Sequence, residues 1–356
     1  MSSATPSLSP GLPPKPESIH KILIIKPSAL GDIVHTLPFL AALRSRFPRA
    51  AIHWVVARGL HRLLENHPLL DRLWVIDKDG WKKPGRLFTT LGEIAGLWRG
   101  LGREGYDLAV DLSGLFRSGL ITAASRAKIR LGFSDSDEGS PFFYNDKIVG
   151  GGQIHAIDRY LKLAARLGCA LPNPAEIAFP LPPFAENPPI MAELPARYLV
   201  MAPSAGKPAN RWPAERFGQL AARLELPTVV IGGAGEAEIV AAVVRHAQGK
   251  AISLAGRTGL TELMAVLKRA SFMVANDTGP MHLAVALQVP VFAIFGPANP
   301  VRTGPYGGMH TVIRRETDCA PCYRWQPCSH WRCLLDLEVD TVHDIIINKL
   351  NRIAQS

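Results

Sequence analysis

Four loops in this chain collect the residue types that can do chemistry. The first runs Lys26-Pro27-Ser28-Ala29-Leu30-Gly31-Asp32, after the apolar run Ile22 to Ile25 and before a helix-like segment. Gly31 lets backbone approach a ligand closely. Asp32 at the helix start is either a cap for free N–H groups or a general base projected into a cleft. The second loop is Asn276-Asp277-Thr278-Gly279-Pro280-Met281-His282. A helix start with Thr278, Gly279 and free amides suits an anion, with Asp277 and His282 nearby. The third is Pro203-Ser204-Ala205-Gly206-Lys207, leading to Asn210-Arg211-Trp212-Pro213. Ser204, backbone amides and the cations Lys207 and Arg211 suit a diphosphate. The fourth, Ile231-Gly232-Gly233-Ala234-Gly235-Glu236, is a glycine-rich turn without the full dinucleotide fingerprint.

Two further groups have metal-ligand chemistry. Cys319, Cys322, Cys328 and Cys333 are spaced C-x2-C-x5-C-x4-C, with His330 among them. Four thiols in one loop can close a tetrahedral site for a structural zinc. The alternative is a reduced or redox-labile loop beside a cleft. The strings Asp77-Lys78-Asp79 and Asp135-Ser136-Asp137 read as polar loops, and Cys169 as a core residue.

The elements that must position these loops follow a regular rhythm. Strands are expected at Ile22–Ile25, Ala51–Ala57, Arg72–Ile76, Tyr106–Leu112 and Ile129–Gly132, and helices at Ile33–Phe47, Arg86–Arg103 and Leu115–Ala127. Continuous apolar runs alternating with helices predict a parallel sheet covered on both faces. Eight prolines between residues 170 and 195 mark a linker. The rhythm then restarts, with strands at Tyr198–Ala202, Thr228–Ile231, Ala251–Leu254, Phe272–Ala275 and Val291–Phe295. The helices between them are Pro213–Leu224, Ala234–Gln248, Leu260–Ala270 and Gly279–Leu287. The fold class expected is α/β, two Rossmann-like doubly wound domains facing a central cleft. The divisions are a disordered Pro/Ser-rich lead at 1–19, domains at 20–169 and 197–340, a linker at 170–196 and a C-terminal helix at 341–356. The lead has no apolar core of the kind a signal peptide carries. No run approaches the ~18 apolar residues of a membrane helix. A hydrophobic content of 47% excludes disorder as a whole-chain answer, and the net charge of +10 favours anionic partners.

Residues 22 to 38, Ile-Leu-Ile-Ile-Lys-Pro-Ser-Ala-Leu-Gly-Asp-Ile-Val-His-Thr-Leu-Pro, resemble the opening signature of glycosyltransferase family 9, the ADP-heptose:lipopolysaccharide heptosyltransferases. Asp277-Thr278-Gly279 with His282-Leu283-Ala284 is similar to that family's donor-nucleotide signature. Phe295-Gly296-Pro297 with Asn299-Pro300, and Asp111-Leu112-Ser113-Gly114-Leu115 with Arg117-Ser118, are similar to two further segments. The resemblance spans about residues 21 to 353.

It implies a GT-B architecture with the acceptor domain first and the nucleotide-sugar domain second. It also implies an inverting heptose transfer that needs no metal or other cofactor. On this reading Asp32 is the base, and Ser204, Lys207, Arg211, Glu236, Asp277, Thr278, Gly279 and His282 hold the ADP-heptose donor. The family commonly has Lys where this chain has Asn210. The implied acceptor is the anionic inner core of lipopolysaccharide, a Kdo-lipid A type molecule, with Arg117, His155 and Arg159 as candidate contacts. Arg126, Lys128 and Arg130 are further basic candidates of the first domain. The implied location is cytoplasmic, peripheral at the inner face of the membrane, and no nucleic acid is expected as partner. Two rival readings are a GT-B-like nucleotide-sugar epimerase and a non-catalytic nucleotide-binding protein.

Overall fold

The structure is a computed structural model that describes residues 12–355. The first eleven residues of the expected lead, and Ser356, lie outside the described residues. Within the rest of that lead, Pro16–Ser18 forms a 3-10 turn and Ile19 is buried, so the fold begins just before His20.

The first domain runs β1 (Lys21–Ile25), α1 (Leu30–Arg46), β2 (Ala51–Ala57), β3 (Arg72–Ile76), α2 (Leu87–Arg103), β4 (Leu108–Asp111), α3 (Phe116–Ala124), β5 (Ile129–Phe133), β6 (Asp146–Ile148) and α4 (Ala156–Arg166). The second runs β7 (Leu199–Ala202), α5 (Ala214–Arg223), β8 (Thr228–Val230), α6 (Ala237–His246), β9 (Ala251–Ser253), α7 (Leu260–Lys268), β10 (Met273–Asn276), α8 (Gly279–Ala286), β11 (Val291–Phe295), α9 (Pro300–Thr303), β12 (Thr311–Arg314), α10 (Arg332–Leu335) and α11 (Val339–Gln355).

Both sheets are six-stranded and parallel. The strand orders are β3-β2-β1-β4-β5-β6 and β12-β11-β10-β7-β8-β9. Counted from its own first strand, each has the order 3-2-1-4-5-6, a doubly wound plan. The central strands β4, β7, β10 and β11 are buried at every position. Helices cover both faces, so both sets of alternating side chains must be apolar.

The strands missing from the sequence expectation, β6 and β12, are short edge strands with exposed polar positions. One buried flank gives little hydrophobic signal. Helix α4 is also absent from that expectation, although Ile157, Tyr160, Leu161 and Ala164 have helical spacing and are buried.

The proline-rich linker contains 3-10 turns at Pro174–Glu176 and Pro189–Glu193, and it is anchored. Ile177, Met191 and Leu194 are buried, and His67 Nε2 lies 2.8 Å from the Pro180 carbonyl. The C-terminal helix begins at Val339, two residues before the expected boundary. Its Val342 and Ile346 are buried in the core of the second domain. It is therefore part of that domain. The largest of three apolar clusters runs from Ile22 and Phe39 through Met191 to Met264 and Phe295 and so joins both domains.

Candidate active site

In each sheet the chain reverses its winding direction between the first and fourth strands. These switch points, β1/β4 and β7/β10, are where ligands of doubly wound sheets bind. The loops singled out from sequence leave β1, β7 and β10, and the two switch points face each other. The N-terminus of α1 abuts that of α8. A Cβ on Gly31 would stand 2.4 Å from His282 Cδ2, and one on Gly279 would stand 2.8 Å from Leu30 Cβ. No larger residue permits this approach without displacing a neighbour.

Asp32 is the third residue of α1. Its Oδ2 accepts the Ala29 N–H at 3.0 Å, so it does cap the helix. Its other oxygen is directed elsewhere. Oδ1 lies 3.4 Å from Lys26 Nζ and accepts from Tyr160 Oη at 3.3 Å, and the side chain remains 41% exposed. Cap and cleft carboxylate are thus the same residue. Desolvation would raise the Asp32 pKa, but the Lys26 ammonium and the Ala29 amide outweigh it and hold the carboxyl below its ordinary value. Burial would likewise push Lys26 toward neutrality, but Asp32 and Tyr160 beside it hold its pKa above the usual range. Lys26 Nζ also donates to the Leu112 carbonyl at 3.3 Å, and Lys26 is 5% exposed. The result is a fixed, ionised carboxylate at the mouth of β1. Sequence reasoning missed both partners. Lys26 stood in the quoted loop without a role, and Tyr160 lies on the unassigned helix.

Across the cleft, His282 on α8 lies with Nδ1 2.9 Å from His35 Nε2 of α1. Burial and the neighbouring His155 push His282 down to about 4, so the ring is neutral at pH 7. Its Nε2 is 3.9 Å from Asp277 Oδ1. Burial pushes Asp277 up to about 7, with Lys207 opposing the rise and Asp32 adding to it. Asn210 donates its amide to Asp277 Oδ2 at 3.3 Å. A neutral amide thus occupies the place where the family resemblance leads one to expect a lysine.

A cavity of about 570 Å³ lies between the domains. Three of the donor candidates named from sequence, Ser204, Glu236 and Thr278, line it. The Ser204 hydroxyl is buried and has no hydrogen-bond partner among the described residues. Glu236 also caps its own turn, with Oε2 accepting the Gly233 N–H at 2.7 Å. Lys207 and Arg211 are not among the lining residues. Arg211 Nε is tied to the Ala205 carbonyl at 2.8 Å, while Lys207 acts through its charge on Asp277. The cations that do line the cavity are Arg58 and Arg62, both exposed and both from the first domain. Sequence gave no hint of them, because the loop after β2 has no glycine-rich or capping signature.

The acceptor candidates separate. Arg117 is exposed on the first turn of α3 and borders a second cavity, in the first domain. His155 uses both ring nitrogens, one accepting from Ile157 N at 3.2 Å and the other 3.0 Å from the Gly304 carbonyl. That second contact ties the two domains together. Arg159 is paired with Asp135 at 3.4 Å and stacks 4.2 Å from the Phe133 ring. Lys128 pairs with Asp107 at 2.8 Å, at the amino ends of β4 and β5 and so on the rim away from the cleft. Arg126 lies on that same rim, and Arg130 Nε donates to the Phe143 carbonyl. The Asp77 carboxylate accepts the Gly80 amide of its own turn, and that of Asp135 accepts the amides of Gly150 and Gly151, in the loop after β6.

Cys319, Cys322, Cys328 and Cys333 line one small cavity together with His330, and all four are free thiols. Burial, reinforced by the three other thiols, pushes Cys333 up to about 11. Among the described residues no three His, Cys, Asp or Glu side chains are arranged to hold a metal ion. Zinc binding would require the loop to draw the thiols together.

Two doubly wound domains facing a cleft, with an ionised carboxylate on one side and an anion-suited helix start on the other, make up a GT-B architecture. A family model described as "Glycosyltransferase family 9 (heptosyltransferase)" matches residues 94–330. Lipopolysaccharide heptosyltransferase 1 of Pseudomonas aeruginosa is 31% identical over 338 residues, covering 89% of this chain and 91% of the relative. The Escherichia coli K12 protein of the same name is 28% identical over 306 residues, covering 83% and 93%. Among solved structures, "E. coli heptosyltransferase WaaC with ADP" aligns with a TM-score of 0.75 at 25% identity, covering 92% of this chain and 99% of that one. The chain belongs to glycosyltransferase family 9, the heptosyltransferases. A putative UDP-N-acetylglucosamine 2-epimerase from Listeria monocytogenes, at 12% identity and a TM-score of 0.52, shares the fold alone.

Proposed function

We propose that this enzyme moves a heptose from ADP-heptose to the Kdo-bearing inner core of lipopolysaccharide, in one inverting displacement that uses no catalytic metal. The observation that carries this reading is Asp32, held ionised between Lys26 and Tyr160, two residues beyond Leu30, which lines the interdomain cavity. The acceptor hydroxyl oxygen attacks the anomeric carbon while the bond from that carbon to the diphosphate oxygen breaks. ADP leaves with the electron pair, and the hydroxyl proton passes to Asp32. A single attack from the face opposite the leaving group inverts the centre, so no carboxylate nucleophile is needed.

Positive groups stabilise the departing diphosphate. Arg58 and Arg62 border the cavity, Lys207 stands beside Asp277, and the amides at the start of α8 point the same way. The relatives' names, lipopolysaccharide heptosyltransferase, support the donor and acceptor classes. The net charge of +10 supports work at the anionic inner face of a membrane.

Thermal unfolding with ADP, UDP and GDP tests the donor class. ADP at 100 times its dissociation constant should stabilise the fold by about 2.7 kcal/mol. Equal shifts with all three nucleotides would overturn the adenine assignment. Transfer to a water-soluble, deacylated Kdo-bearing core, followed by NMR of the new anomeric centre, tests the reaction. Retained configuration would overturn the single displacement.

A further inference from the structure

Helix α2 does not obey the burial logic of the rest of the fold. Its sequence, LFTTLGEIAGLWRGLGR, is mostly apolar, yet Thr90 and Leu101 are its only buried residues. Leu87 is 60% exposed, Phe88 89%, Leu91 54%, Ile94 38% and Trp98 40%. Positions 87, 91, 94 and 98 recur at helical spacing, so they form one continuous apolar stripe. The stripe continues inward. Ile94 and Trp98 also wall a cavity of about 320 Å³ between α2 and α3, closed below by Leu97, Leu120 and Ile121. At its polar end this cavity reaches Ser28, in the loop that carries Asp32, where Lys78 Nζ donates to Ser28 Oγ at 2.7 Å.

Exposed cations stand around this face. Lys83, Arg99 and Arg103 are exposed and, among the described residues, have no ion-pair partner, and the same holds for Arg117 at the cavity wall. The one carboxylate within α2, Glu93, is satisfied from inside by Trp81 Nε1 at 2.7 Å and Arg86 at 3.1 Å. Glu104, which follows the helix, is held by Lys21 and Arg72. An apolar stripe flanked by unpaired cations matches the interfacial layer of an anionic bilayer, acyl chains against the stripe and phosphates against the cations. We infer that α2, with the cavity beneath it, is the surface by which this enzyme docks on an anionic lipid bilayer and presents the Asp32 loop to a lipid-borne acceptor. The inference rests on the proposed acceptor class for its purpose, but the docking itself is measured separately.

The experiment is co-sedimentation with phosphatidylcholine vesicles and with vesicles of phosphatidylcholine and phosphatidylglycerol at 3:1. Wild-type protein is compared with a Phe88→Ser/Leu91→Ser double variant. Both positions are exposed, so the fold is expected to survive, and circular dichroism checks this. Wild type should partition at least tenfold more strongly onto the anionic vesicles, and 0.5 M NaCl should weaken that binding. The double variant should lose at least tenfold in partitioning. Its turnover on the water-soluble, deacylated acceptor should stay within about twofold of wild type.

Equal partitioning of wild type and variant, or no preference for anionic vesicles, would overturn the inference. So would a wild-type dimer in sedimentation velocity that the double variant abolishes, since the face would then be covered by a second copy. Inactivity of wild type on the soluble acceptor, with vesicle binding intact, would strike the functional reading and leave the docking surface standing.

Discussion

Asp32 divides its two oxygens between two tasks, which makes its removal informative. Asp32→Asn keeps an oxygen that can accept the Ala29 amide, and Asn is a good residue at a helix start. Stability should change little, while turnover should fall by ~10²–10⁴-fold, as for loss of a general base. ADP affinity, measured by calorimetry, should be retained. A variant with near wild-type turnover would reduce Asp32 to its capping role.

Asp277 gives a prediction in pH. Its carboxyl is pushed up to about 7 by burial, while in the unfolded chain it titrates at an ordinary value near 3.8. Below that value both states hold the proton. Between about 4 and 7 the unfolded chain ionises while native Asp277 keeps its proton, so its contribution to stability declines as pH rises and levels off above 7. Asp277→Asn should remove this decline. At pH 8 the variant should be more stable than wild type by on the order of 1 kcal/mol or more, read from urea unfolding.

At the level of elements, two helix starts meet where the domains face each other. The α1 and α8 termini approach so closely that Gly31 has room for no side chain. His282 cannot retreat freely, because its ring is buried and held against His35. Gly31→Ala should therefore cost roughly 1–3 kcal/mol of stability, as overpacking does. Because the wedge lies where the two domains meet, the donor KM should rise with it. Unfolding and steady-state kinetics on one preparation check both, and an unchanged KM would show that the α1–α8 junction does not shape the donor site.

At the level of the whole molecule, the interdomain cavity has walls from both domains. Arg58 and Arg62 come from the first, and Ser204, Glu236 and Thr278 from the second. Arg62→Ala should weaken ADP binding by roughly 1.5–3 kcal/mol, the worth of a charge-assisted contact to phosphate. Titration calorimetry reads this directly. Unchanged affinity would assign the diphosphate to Lys207 and the second domain alone. The same two-domain construction explains the tie from His155 to Gly304 and the bond from Tyr306 Oη to Asp158 at 2.7 Å. Both hold the domains in register around the cavity.

The sequence by itself determined the two parallel sheets, the linker and the three loops after β1, β7 and β10. Strands buried on both faces must be apolar throughout, and glycine with a capping residue must open the helix that follows. Those are local requirements, so local spacing displays them. What surrounds Asp32 was decided by the tertiary structure. Lys26 is six residues away, but Tyr160 is 128 residues away, and His282 meets His35 across 247 residues. The cations at the interdomain cavity, Arg58 and Arg62, belong to the domain opposite the one that carries the Asp277-Thr278-Gly279 loop. Two sheets of the same strand order, joined face to face, bring these groups together, and no periodicity along the chain records a distance between domains. The exposure of α2 is decided in the same way. Its apolar residues have the spacing of a core-facing helix, and only the packed structure shows that no core lies on that side.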